Sequence, residues 1–245
     1  MNPISVVVVT FDRPQFLART VEACMSQRRK GDEVIVVNDG GEHPNLGEMR
    51  PFVNYQWQPR MGYRLATARN RGIAKAVNPF ILMLDDDTVP QPGCLEAFRS
   101  NMKRGVLLLG GLEREYDVGP SPALGVPRTW QSRTQPIPIL QGRLDGYAGA
   151  YGSNVLFARE DAIDAGGFDT RLDGCWGYED SLFVRAMLLK GAHLQPLFTA
   201  NALHLWHPNR DIVPECVKHN RAIARALAEL YENGEYPEFN EEKYR

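Results

Sequence analysis

Apolar positions in the first third of the chain follow two alternating patterns. Ile4 to Val9 is a β-branched run that ends in polar residues, and Glu33 to Val37 (EVIVV) repeats the design before Asn38-Asp39-Gly40-Gly41. Runs of this kind predict strands buried on both faces. Between them Pro14 suits a first helical turn, and Phe16, Leu17, Val21, Cys24 and Met25 recur at helical spacing until Gly31. The unit is β-α-β, for which a right-handed parallel crossover is the default. A weaker strand is expected at Phe52 to Trp57, a helix at Tyr63 to Val77, a buried strand at Phe80 to Leu84 (FILML), a helix at Leu95 to Met102 and a strand at Val106 to Leu109. Such alternation predicts an open α/β sheet.

The texture changes after Leu112. Gly119 to Gln141 contains Pro120, Pro122, Pro127, Pro136 and Pro138 with no clean period, which reads as a long loop or lid, or as a plain surface excursion. Order resumes with the strand-like VLFA after Asn154, a short helix, the Gly-rich GGFDTRLDGCWGYED, an apolar helix at Leu182 to Leu189 and the strand-like LQPLFTA. Val213, Val217, Ile223, Ala224, Leu227 and Tyr231 predict a final helix, and the last dozen residues a loosely held tail. The pattern divides the chain into a first half over 1–112, a loop or lid over 113–150, and a second half with the C-terminal helix over 151–245, together one compact domain.

Composition narrows the function. Hydrophobic residues make up 43% of the 245 and charged residues 24%, as in an ordinary globular chain. The formal net charge of −2 gives no general attraction to nucleic acid or anionic lipid. No apolar stretch approaches the roughly 18 to 20 residues that span a bilayer, and the first residues lack the basic, then apolar, layout of a signal peptide. Cys24, Cys94, Cys175 and Cys216 lie far apart, with neither zinc-ribbon spacing nor a dense disulfide framework, so a cytoplasmic location is expected.

Asp85-Asp86-Asp87 follows FILML directly, at the carboxyl end of an expected parallel strand, where open α/β sheets bind their ligands. Alternation on an extended chain would put Asp85 and Asp87 on one side and Asp86 on the other. Converging carboxylates call for a cation, and hard oxygen ligands suit Mg²⁺ or Mn²⁺; a solvated acidic turn before Val89-Pro90 is the plainer alternative. Asp39 ends a neighbouring strand, and Thr10, Asp12 and Arg13 end the first, so three strand ends bring polar groups to one rim. Glu179-Asp180 opens a helix, where the dipole explains one acid but not the pair. His204 and His207 stand three apart in ALHLWHP, available to a metal or to ordinary hydrogen bonds.

In this order, SVVVVTFDRPQFL, VVNDGG, GYRLATARNRGIAKA, FILMLDDDTVP and WGYED resemble the family 2 glycosyltransferases with a GT-A fold, over roughly residues 3 to 210. The stretch from GSNVLF to ALHLWHP is similar to a galactosyltransferase-like branch that includes chondroitin-polymerase and polypeptide N-acetylgalactosaminyltransferase domains. The resemblance implies an inverting, metal-dependent transfer of a hexose or N-acetylhexosamine from a UDP-sugar to an acceptor hydroxyl. It implies that Asp39 holds uracil with Thr10 and Arg13 in the same pocket, that Arg69 touches the nucleotide while Asn70 and Gly72 pack, and that Asp85 meets the ribose, Asp86 the donor sugar and Asp87 the metal. It further implies Asp180 as catalytic base, Glu179 orienting hydroxyls, Trp176 as a wall for a sugar face, and His204, ahead of His207, as a ligand of Mn²⁺ or Mg²⁺. A nucleotidyltransferase would carry a Gly-rich basic loop after the first strand, where TFDRP stands, and a non-catalytic sugar-nucleotide-binding module could lose the carboxylates retained here. The acceptor stays open among glycan, lipid-linked sugar, protein, metabolite and modified nucleobase; with no membrane helix, a single transfer is preferred to polymer extrusion.

Overall fold

The computed structural model describes residues 2–115, 129–131, 153–207 and 213–245. In chain order the elements are β1 (Ile4–Thr10), α1 (Pro14–Ser26), β2 (Glu33–Asn38), a 3₁₀ turn (Gly47–Phe52), β3 (Val53–Trp57), α2 (Leu65–Lys75), β4 (Phe80–Asp85), β5 (Thr88–Pro90), α3 (Cys94–Asn101) and β6 (Val106–Glu115). They continue with β7 (Thr129–Gln131), β8 (Val155–Ala158), α4 (Arg159–Asp164), a 3₁₀ turn (Thr170–Leu172), α5 (Glu179–Leu189), β9 (His193–His204), α6 (Pro214–Glu232) and α7 (Glu241–Tyr244).

One sheet runs β3-β2-β1-β4-β8-β6-β9-β5, with β7 added beside β6. Its first four strands are parallel, as the β-α-β pattern predicts. From β8 onward the pairing is mixed: β8 is antiparallel to both β4 and β6, β9 runs parallel to β6, and β5 is antiparallel to β9. Strand alternation divides the core. Val7, Val9, Ile35 and Ile81 pack with α2, α4, α5 and α6 on one face, while Ile4, Val6, Val8 and Leu82 pack with α1 and α3 on the other. Continuous apolar strands therefore record a sheet covered on both sides.

Close packing of α2 on this sheet depends on one small residue. A Cβ on Gly72 would stand 2.3 Å from Cγ1 of Val7, so any side chain there forces helix and strand apart. Next to it Asn70 is fully buried, donating to the Phe168 carbonyl at 2.7 Å and accepting from the Phe168 amide at 2.8 Å.

Three departures from the sequence reading have physical causes. β5 is only three residues long and exists through its pairing with β9, a non-local partner that local pattern does not reveal. β6 runs on through Gly110-Gly111 to Glu115, with a register shift between Gly110 and Leu112, because the partner strand supplies hydrogen bonds where the local sequence signals a break. The C-terminal residues are docked, not loose: Tyr244 is buried with its hydroxyl accepting from Asn70 at 3.2 Å, and Glu241 pairs with Arg159 at 2.8 Å. Aromatic content anchors this tail, and Phe239 packs against the core with it. Of the expected loop or lid over 113–150, only 113–115, the end of β6, and 129–131, the strand β7 paired with β6, are among the described residues.

Candidate active site

The carboxyl ends of β1, β2 and β4 meet along one rim. Beside it lies a cavity of about 270 Å³ lined by Thr10, Asp12, Arg13, Asn38, Glu42 and Pro44, among others. Asp12 has a positive φ of 51° and accepts from the Glu42 amide at 3.0 Å, which ties the turn after β1 to the turn after β2. Gly40 makes the second turn possible: its φ is +87°, and a Cβ there would meet the Arg60 amide nitrogen at 2.4 Å. Asp39, buried at the end of β2, accepts from the Gln58 side chain at 2.6 Å and the Arg64 amide at 2.9 Å.

The three aspartates after β4 have three different environments. Asp85 accepts from Arg69 at 3.1 Å, and burial raises its pKa against the pull of that guanidinium. Asp86 is buried, accepts from the Thr10 hydroxyl at 2.7 Å, and is pushed up to about 7 by burial and by the charge of Asp87. Burial acts in the same direction on Asp87, but a hydrogen bond from His207 and the charges of His204 and Arg13 outweigh it and hold this group down at about 2. A carboxylate kept ionised among nitrogen bases is a natural cation ligand.

Asp87, His204 and His207 offer ligand atoms that all lie within 4.8 Å of one another. Nε2 of His207 is 3.1 Å from Asp87 Oδ2, and Nε2 of His204 is 3.6 Å from Oδ1. The short strand β5 builds this group, since Thr88 pairs with His204 and the Leu205 amide donates to the Asp87 carbonyl at 2.8 Å. Arg13 also reaches in, pairing with Asp87 and lying 3.4 Å from Nδ1 of His207. One carboxylate oxygen and two imidazole nitrogens suit Mn²⁺ better than Mg²⁺, which favours oxygen alone.

Helix α5 begins with Glu179 and Asp180. Glu179 is buried and accepts from Arg69 at 2.8 Å; burial and the Asp180 charge push it up to about 7 despite that partner. Arg69, 2% exposed, thus bridges Asp85 and Glu179, and this bridge joins the DDD segment to α5. Asp180 lies one residue on, partly exposed, with Oδ1 accepting from the Ser181 amide at 2.7 Å. Trp176 is 45% exposed, and so is Trp206, at 40%, between the two histidines.

A family model described as glycosyl transferase family 2 matches residues 5–166. The chain belongs to that family. Membership places it among the glycosyltransferases. Among curated relatives, the chondroitin synthase of Escherichia coli is 23% identical over 246 residues, spanning 86% of this chain and 36% of that protein. The hyaluronan synthase of Pasteurella multocida is 34% identical over 95 residues, 36% of this chain and 10% of that protein. The chain therefore spans well under half the length of these relatives. In the crystal structure of S. aureus TarS 1-349 in complex with UDP-GlcNAc, the fold matches with a TM-score of 0.68 at 17% identity, covering 94% of this chain and 67% of that one. This likeness gives the family 2 chain the GT-A fold that its motifs imply.

The rim thus collects strand-end residues named from sequence, and β9 and α5 bring His204, His207, Glu179 and Asp180 toward it. Sequence reasoning passed over Glu42, Pro44, Trp206 and Asp173. Asp173 accepts from the Ala66 amide and the Thr67 hydroxyl at the start of α2, at 3.1 and 2.5 Å. Its only local signal was a Gly-flanked acidic residue. The cysteines give a correction: Cys175 and Cys216 form a disulfide across 41 residues, which spacing did not signal and which removes cysteine usage as an argument for a reducing compartment. Cys24 and Cys94 are free and buried. Among the described residues no helix is long and apolar enough to cross a membrane.

Proposed function

We propose that this family 2 chain is a metal-dependent, inverting glycosyltransferase that moves a hexose or N-acetylhexosamine from a UDP-sugar to an acceptor hydroxyl. The observation that carries the reading is the Asp87, His204 and His207 group at the end of the DDD segment, to which Arg69 ties the carboxylate that opens α5. Family membership and the UDP-GlcNAc bound by TarS support a UDP-sugar as donor. Asp87 and the two histidines would hold Mn²⁺, which when bound neutralises the charge developing on the departing diphosphate.

The family resemblance, with the surroundings of each residue, supports roles for the others. Thr10, Asp12 and Arg13 line the nucleotide cavity, and Arg13 carries a positive charge that can turn from Asp87 to a phosphate. By the family resemblance Asp39 would hold uracil, Asp85 would meet the ribose and Asp86 the donor sugar. Asp180, partly exposed at the start of α5, takes the proton of the acceptor hydroxyl as its oxygen attacks the anomeric carbon. Glu179 orients hydroxyl groups, held by Arg69, whose place between the two carboxylates makes it a support for the ribose-side acid. Trp176 offers an apolar wall to a sugar face. One base and one direct displacement give inversion. A nucleotidyltransferase is less well supported, since the cavity wall after β1 is TFDRP with no Gly-rich basic loop.

A panel of UDP-sugars with and without Mn²⁺, read for donor hydrolysis by mass spectrometry, tests the reading without a known acceptor. Hydrolysis of at least one donor, lost in EDTA and in Asp87→Ala, is expected. UDP binding unchanged by EDTA and by Asp87→Ala would remove the metal bridge, and calorimetric preference for GDP or ADP would remove the UDP assignment.

A further inference from the structure

Residues 173–178 form an irregular link from the 3₁₀ turn at Thr170–Leu172 to α5. This link displays Trp176, ends on Tyr178 at a positive φ of 75°, and delivers Glu179 and Asp180 to the rim. With no repeating backbone hydrogen bonds of its own, its shape must be imposed from outside.

One buried side chain on α6 does much of this. Asn220 is 1% exposed, and its Nδ2 lies 2.9 Å from the Leu172 carbonyl, 3.0 Å from that of Cys175 and 3.1 Å from that of Gly177. An amide group has two protons, so three acceptors share them and the carbonyls are drawn together around one nitrogen. Cys216 stands four residues earlier on the same helix face and is disulfide-bonded to Cys175. The other side of the link is tied to the start of α2 through Asp173, and to the residue before that helix's N-cap through the Gly174 amide, which donates to the Tyr63 carbonyl at 2.6 Å.

We infer that Asn220 is a positioning residue: with Cys216 it forms a two-point clamp on α6 that sets the shape of the 173–178 link and thereby the placement of Trp176 and Asp180. The clamp follows from the contacts alone; its kinetic consequence rests on the glycosyl-transfer reading. Aspartate has the shape of asparagine but an ionised carboxylate cannot donate to three carbonyls, so the two residues separate hydrogen bonding from filling of space.

The test compares Asn220→Ala, Asn220→Asp and Cys175→Ser/Cys216→Ser variants of the whole 245-residue chain. Hydrogen exchange at amides of 173–178 should quicken about tenfold or more in both Asn220 variants, with β1 and β2 unchanged, and less in the cysteine variant. UDP titration should show full occupancy and an affinity within about twofold of the parent, so the active fraction is intact. With a hydrolysed UDP-sugar, kcat should fall about tenfold while KM for the donor holds. Parent-like exchange in Asn220→Ala, or parent-like exchange and kcat in Asn220→Asp, would overturn the clamp. If the parent protein hydrolyses no UDP-sugar, the transfer reading fails, and the exchange measurement still decides the clamp.

Discussion

Arg69 donates to Glu179 at 2.8 Å across 110 residues of sequence, and both groups are buried. The same guanidinium reaches Asp85 at 3.1 Å, so one cation holds the DDD segment and the start of α5 together. Removing it leaves a buried carboxylate with its charge uncompensated. Arg69→Met should lower stability by about 3 to 5 kcal/mol, the cost of breaking a buried pair from one side. Urea unfolding measures this, and a loss below about 1 kcal/mol would mean that water replaces the guanidinium without penalty.

Binding and chemistry should separate at α5. Asp180→Asn keeps shape and hydrogen bonding but removes basicity, so turnover with a verified acceptor should fall by roughly 10² to 10⁴ while UDP affinity stays near the parent value. Glu179→Gln should perturb substrate affinity as well as rate, as expected of an orienting group. Product analysis by NMR should show an inverted anomeric centre. Near-normal turnover of Asp180→Asn would reject the base assignment, and a retained anomer would reject the single displacement.

Asp173 should make stability depend on pH. Burial, opposed by hydrogen bonds from Thr67 and Ala66, raises its pKa to about 6 in the folded protein from an ordinary 3.8. Since the folded value is the higher one, its stabilising contribution is complete below pH about 4 and disappears as pH climbs to about 6. Asp173→Asn cannot titrate. The stability difference, parent minus variant, followed by denaturant unfolding at each pH, should therefore decline between pH 4 and pH 7 by about 1 to 2 kcal/mol, less than the roughly 3 kcal/mol of two full pKa units because Asp173 is partly exposed and screened by solvent. A difference that is constant over this range, or grows with pH, would contradict the raised value.

Gly72 should be intolerant of even one methyl group. Its missing Cβ would lie 2.3 Å from Val7, inside the helix-to-sheet contact that places Arg69. Overpacking of this kind costs about 1 to 3 kcal/mol, more than the gain in helix propensity of about 1 kcal/mol from replacing glycine. Thermal unfolding of Gly72→Ala should show the loss; a more stable variant would mean that α2 shifts freely on the sheet.

The parallel half of the sheet is legible in local pattern. Ile4 to Val9, Glu33 to Val37 and Phe80 to Leu84 are apolar on both faces, and that property is local, so their strands and the acidic residues at their ends are legible in the chain alone. The family motifs carried the fold for the same reason, as short segments whose order survives without contacts being known.

Which groups meet depends on contacts between elements far apart in the chain. β5 exists because β9 pairs with it, and that pairing brings both His204 and His207 to Asp87, where sequence had favoured the first over the second. The resemblance gives Arg69 a contact with the nucleotide, yet Glu179 and Asp85 hold it in the interior, 2% exposed. The tail reads as polar and loose until Tyr244 finds Asn70, and the four cysteines read as unpaired until α6 lies beside residue 175. Periodicity reports how a residue sits in its own element; the free energy of a contact between distant elements depends on a partner that periodicity cannot name.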